Sequence, residues 1–147
     1  MHLRTRFLLL GLLAMFGCVS VHASVHASEA PIKVVYHLDL DREGTTTALH
    51  QAKNQLAAAP NTRIVVVVLG SSMHYMVKGA ETAGGYPFGL MISDLQDRGV
   101  RFEACANTMA SLKIKASQLD PGIHVVPSGM AEIARLEARE GYVYIRP

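Results

Sequence analysis

The sequence is short of cysteine, of clustered charge and of phosphate-binding glycine patterns, and each shortage removes a class of function. No Gly-x-Gly-x-x-Gly follows an apolar run and no Gly-Lys-Ser/Thr occurs, so nothing supports a nucleotide site. Ser71, Ser72 and Ser128 lack the Gly-x-Ser-x-Gly setting of a nucleophile elbow. Basic residues are scattered rather than grouped or interleaved with aromatics, which argues against a nucleic-acid partner. Beyond the N-terminal segment no apolar run is long enough to span a bilayer.

That segment has the form of a secretory signal peptide. Met1 to Arg6 is a basic stretch, Phe7 to about Val21 an apolar one, and small residues follow. Ser-Val-His-Ala occurs twice in tandem, so cleavage after Ala23 or after Ala27 satisfies the small-x-small rule equally. A signal peptide over residues 1–27 implies a periplasmic protein. Gly17-Cys18 has the outline of a lipid-attachment site, but Met15 and Phe16 fit it poorly, and Cys18 is read as discarded with the leader.

About 120 residues remain, enough for one domain with a core and too few for two. Of 14 basic residues Arg4 and Arg6 leave with the leader, and the other 12 balance 12 acidic residues, all beyond position 28. Cys105 is then the only cysteine, so no internal disulfide can form. A lone thiol in an oxidising compartment is buried, paired with another molecule, or used chemically.

The remaining chain alternates strand-like and helix-like stretches. Ile32–Asp39 and Arg63–Leu69 are β-branched runs with apolar residues on both faces, as expected of central parallel strands. Thr46–Ala59 carries apolar residues at helical spacing up to Pro60. Lys78–Pro87 reads as a mobile loop. Phe88–Arg98 reads as a helix with Leu90, Met91 and Leu95 inward, closed by Gly99. Arg101–Cys105 is a third strand, Met109–Gln118 a modest helix, and His124–Val126 a fourth strand. Met130–Glu140 is a helix with Ile133 and Leu136 inward, and Tyr142–Ile145 a fifth strand. Short alternating connections imply a mainly parallel five-stranded sheet between helices, a three-layer α/β/α fold, with ligands beyond the strands' carboxyl ends.

Four stretches converge on that edge: His37 to Asp41, Gly70 to Tyr75, Cys105 to Asn107, and Pro127 to Gly129. Asp39-Leu40-Asp41 with Thr45 outlines an aspartate phosphotransferase loop, but no later acid pair would hold magnesium, and both aspartates are read as shaping the turn and capping the first helix. His37, Asp39 and His74 could form a metal site, although no metal or cofactor is assigned. Cys105 closes a strand ahead of a polar helix start, where unpaired N–H groups and the helix dipole favour thiolate. Asn107, Ser71, His74 and Asp39 are the candidate helpers.

Two phrases then point to a family. Phe102-Glu103-Ala104-Cys105-Ala106-Asn107-Thr108-Met109 resembles the cysteine segment of the DsrE/DsrF-like sulfur-relay proteins, in particular their exported members. Gly122 to Leu136, followed by Glu140 to Pro147, is similar to the family's C-terminal run. The resemblance implies an α/β/α fold, assembly into trimers or hexamers, and a persulfide carried on the cysteine for a partner. Cys105 alone carries over as a functional residue. The well-understood relay proteins are cytoplasmic, whereas this chain has the features of an exported one.

The resulting expectation is an exported, self-associating protein that binds or relays sulfane sulfur on an accessible, easily ionised Cys105, with a donor or acceptor protein as partner. Two readings compete with it. One is a non-catalytic oligomer with Cys105 in the core and the 78–87 loop docking a partner. The other is a metal or small-ligand carrier using His37, Asp39 and His74.

Overall fold

The structure is a computed structural model that describes residues 30–147. The leader and Cys18 readings therefore lie outside the described residues. Five strands, β1 Lys33–Leu38, β2 Arg63–Val68, β3 Arg101–Cys105, β4 Ile123–Val126 and β5 Val143–Ile145, form one sheet in the order β4-β3-β2-β1-β5. Every pairing is parallel, so all five carboxyl ends lie along one edge.

Alternation along the strands divides the core. Val34, Tyr36, Leu38, Ile64, Val66 and Val68 pack with α1 (Arg42–Ala58), α2 (Phe88–Asp97) and α3 (Ala106–Leu112). Val35, Val65 and Val67 face the opposite way, against Ile133 and Leu136 of α4 (Gly129–Glu140) and Tyr142. The sheet thus has helices on both faces, as expected of its alternating elements.

Several boundaries differ from the sequence reading. Helix α1 begins four residues earlier than expected, because Asp41 Oδ1 accepts the Gly44 N–H at 2.8 Å and draws Arg42 to Thr45 into the first turn. Helix α3 begins directly after Cys105 and stops at Lys113, whose left-handed φ of 57° ends it. Only a 3-10 turn, Ala116–Gln118, remains of its expected second half. In α2 the inward stripe is Phe88, Ile92 and Leu95, while Leu90 is 55% exposed. Phe88 stacks on Tyr75 with ring centroids 5.2 Å apart, on the buried side of the helix.

Ahead of the expected loop, Gly70–Tyr75 is a 3-10 helix and Val77 bridges Leu119. The 78–87 stretch itself is tied down: the Lys78 N–H donates to Gln118 O at 2.8 Å, the Thr82 N–H to Tyr86 O at 2.9 Å, and Glu81 bridges Pro87. The Phe88 N–H also donates to Ala80 O at 2.9 Å.

Candidate thiolate site

The carboxyl end of β1 is locked to that of β2 by small polar groups. Asp39 Oδ1 accepts the Ser71 backbone N–H at 2.9 Å across the Gly70 turn. Gly70 has φ +44°, and a Cβ there would lie 1.9 Å from Asp39 Oδ1, so only glycine fits. Beneath this turn Ser72 Oγ accepts the Leu40 N–H at 2.8 Å and lies 2.9 Å from Thr45 Oγ1, with both residues fully buried. Asp39 and Ser71 therefore build the turn, and the Ser71 side chain is exposed.

His37 and His74 are separated in role. His37 is 8% exposed, and its Nδ1 lies 2.8 Å from the Tyr144 hydroxyl on β5. Burial and the Arg146 charge, opposed by Asp39, hold its pKa below the ordinary histidine value. His74 is exposed and lines an open cleft with Arg42, Tyr75 and Lys78. Among the described residues no group of three or more His, Cys, Asp or Glu side chains is placed to hold a metal ion, so His37, Asp39 and His74 do not form the metal site considered above.

Cys105 ends β3 and is the cap residue of α3, with extended backbone. It is 3% exposed, which corrects the expectation of an accessible thiol. Burial pushes its pKa up, but hydrogen bonds outweigh that penalty and leave the thiol below its usual range. The donors are the Gly129 N–H, the Thr108 N–H and hydroxyl, and the Asn107 N–H. Two helix starts thus converge on one sulfur, where negative charge is favoured.

Gly129 reaches the sulfur because it has no side chain. A Cβ at that position would meet Leu69 Cγ at 2.9 Å and hold the start of α4 off the end of β2. Ser128 caps α4, accepting the Ala131 N–H at 3.4 Å. Asn107, a sequence candidate, contributes its backbone, and its side chain is exposed. Ser71, His74 and Asp39 are not among the groups on the sulfur. Thr108 and Gly129 are not among the helpers that the sequence suggests. Their signals were present: Thr108 lies in the cysteine phrase, and Pro127-Ser128-Gly129 is a strand-end turn on the same edge.

Comparison with known proteins agrees with this architecture. Residues 33–147 match the model of the DsrE/DsrF-like family. The chain is similar to the solved structure of MTH1491, a protein of unknown function from Methanobacterium thermoautotrophicum. The two share 31% identity and a TM-score of 0.70, over 79% of this chain and 99% of that one. The ychN protein from E. coli shares the fold at 15% identity and a TM-score of 0.66, over 78% of this chain and 97% of that one. No curated protein matches. With its cysteine segment, its parallel sheet and nearly the whole described chain inside the match, the protein belongs to the DsrE/DsrF-like family.

Proposed function

We propose that this protein is an exported sulfur carrier that takes sulfane sulfur onto Cys105 as a persulfide and passes it to an acceptor protein. The observation that carries the reading is the set of backbone and hydroxyl donors from α3 and α4 on the Cys105 sulfur. A buried structural cysteine gains nothing from such a set, whereas a thiolate or persulfide anion is stabilised by it. With thiosulfate as donor, the thiolate attacks the outer sulfur and a Cys–S–S⁻ bond forms. The sulfur–sulfur bond of thiosulfate breaks, and sulfite leaves with the electron pair. Charge balances without a proton, so the site needs donors and no general acid.

Export rests on the leader-like N-terminal residues. The exposed apolar side chains of Ile32, Val125, Met130 and Val143 support self-association, and membership of the family suggests a trimer or hexamer. Light scattering of the purified protein measures the subunit number directly.

Intact-mass spectrometry after treatment with inorganic polysulfide tests the carrier reading. Wild type is expected to gain one or more sulfur atoms, removable by reductant, and Cys105→Ser to gain none. An unmodified wild type would overturn it. A second reading, Cys105 as a core residue of a binding protein, is favoured by the 3% exposure. On that reading the thiol reacts only upon unfolding.

A further inference from the structure

The opposite edge of the sheet, where the strands begin, gathers arginines that lie apart in the sequence. A cleft of about 450 Å³ there is lined by Arg63 at the start of β2, Arg101 at the start of β3 and Arg98 just ahead of it, together with Thr62 and Glu140. Val65 pairs with Arg101, and Arg63 lies two residues before Val65, so strand alternation turns both arginines toward the side of the sheet that carries α4. Lys33 pairs with Arg63 and faces the same way. Three neighbouring strands thus each present a cation to one side of the amino edge.

Ion pairs within the protein leave most of the arginine donors unused. Arg63 is exposed, and among the described residues its side chain has no hydrogen-bond or ion-pair partner. Arg101 donates its Nε–H to Glu103 Oε1 at 2.7 Å, which leaves both Nη groups. Arg98 donates from Nε and Nη2 to Asp94, but Asp94 is shared with Lys53 at 3.0 Å, so one carboxylate faces two cations. The acidic residue of the lining is Glu140, whose carboxylate is held by Arg135. The carbonyl end of α4, which disfavours anions, is covered as well, because Lys33 Nζ donates to Glu140 O at 2.9 Å. Thr62, which borders the cleft, is 7% exposed, and among the described residues its buried Oγ1 has no partner. Buried hydroxyls are as a rule paired, so this one marks a place where the protein leaves a polar group unmet.

Guanidinium groups with free Nη donors bind oxyanions through paired N–H···O bonds, and their charge persists at any physiological pH. The cleft lies within the size range of small-molecule sites, roughly 300–1,000 Å³, so it admits an anion that carries an organic group as well as an inorganic one. We propose that Arg63, Arg98 and Arg101, with Thr62, form a binding site for a phosphate- or sulfate-type oxyanion, free or as the head of a small organic molecule. The site lies at the other edge of the sheet from Cys105 and does not rest on the carrier reading.

Isothermal titration calorimetry of the purified protein at fixed ionic strength, with chloride as background anion, tests it with inorganic phosphate, inorganic sulfate and phenyl phosphate. Wild type should show saturable binding; tighter binding of phenyl phosphate supports the organic source, and equal affinity the free anion. Arg63→Gln removes a charge and its paired donors from a side chain that holds nothing else, and should weaken binding at least about tenfold, the effect of losing a hydrogen bond to a charged group. Arg63→Lys keeps the charge without the fork and should recover only part of this. Arg42→Gln, which takes an equal charge from the open cleft beside His74, should bind as wild type does. Thr62→Val keeps the side-chain shape and should also weaken binding; an unchanged affinity would overturn the assignment of its hydroxyl. Binding that does not saturate, or that falls equally in Arg63→Gln and Arg42→Gln, overturns the site, because surface charge as a whole would then be responsible. Should Arg63→Gln fail to fold, the arginine Nε–H resonances of wild type decide: phosphate should move those of Arg63, Arg98 and Arg101, and shifts confined to other residues overturn the proposal. Cys105→Ser should bind phosphate like wild type, so a failure of polysulfide loading counts against the carrier reading alone.

Discussion

Removing the Ser72 hydroxyl should destabilise the protein far more than removing that of its neighbour Ser71. Ser72 is fully buried, and its Oγ is the acceptor for the Leu40 N–H at the point where β1 leaves the sheet. In Ser72→Ala that N–H is left without an acceptor, a penalty of about 1–3 kcal/mol, and the bond shared with Thr45 Oγ1 or Leu40 O is lost as well, worth roughly 1 kcal/mol. Thr45 Oγ1 already contacts Leu40 O at 3.4 Å and can recover part of this, so the expected total is about 2–3 kcal/mol. At roughly 4 °C per kcal/mol for a domain of this size, Tm falls by about 8–12 °C. Ser71→Ala keeps the backbone N–H that Asp39 accepts and removes only an exposed hydroxyl, so its change should stay within about 0.5 kcal/mol. Urea unfolding with an unchanged m-value measures both. A Thr45→Val, Ser72→Ala cycle should return a coupling of about 1 kcal/mol. A Ser72→Ala loss smaller than that of Ser71→Ala would refute the lock between the two strand ends. Reduced sulfur loading in Ser71→Ala would restore Ser71 as a ligand group.

Gly70→Ala combines a left-handed backbone with a Cβ 1.9 Å from Asp39 Oδ1, and should destabilise by at least about 2 kcal/mol. In an Asp39→Ala background only the backbone strain remains, about 1–2 kcal/mol, and chemical unfolding of the four proteins separates the two contributions. Asp120 is 9% exposed, its Oδ2 has no donor, and burial, opposed by Lys78, raises its pKa. The folded state therefore binds the Asp120 proton more tightly than the unfolded one, and the resulting stability is lost as pH rises from about 4 through the raised pKa. Asp120→Asn should accordingly gain stability relative to wild type between about pH 3 and pH 7, a trend that paired urea titrations at the two pH values would reveal or reverse. The Cys105 thiol is shifted the other way, and Cys105→Ser should remove a stability gain that appears as pH rises toward 9, the unfolded thiol's value.

The sequence by itself determined the element order, the parallel sheet and the position of Cys105 at a strand end. Hydrophobic runs, helical spacing and turn glycines are local signals, and β2 and α4 lie within a residue of where those signals put them. Asp41 as a helix cap was legible for the same reason. Which side chains meet was decided only by the tertiary structure. Ser71 and Ser72 are adjacent and chemically identical, yet one is exposed and the other holds two strand ends together, because the Gly70 turn rotates a single hydroxyl inward. Leu90 fits an apolar stripe on spacing alone, but with Phe88, Ile92 and Leu95 buried it falls on the opposite side of the helix. The donors on Cys105 come partly from Gly129, 24 positions later in the chain, and its approach depends on a missing Cβ above Leu69. Contacts between elements that close only when the sheet assembles leave no periodicity behind, which is why the cysteine and the strand-end edge around it could be read from the sequence, and the choice of donors along that edge could not.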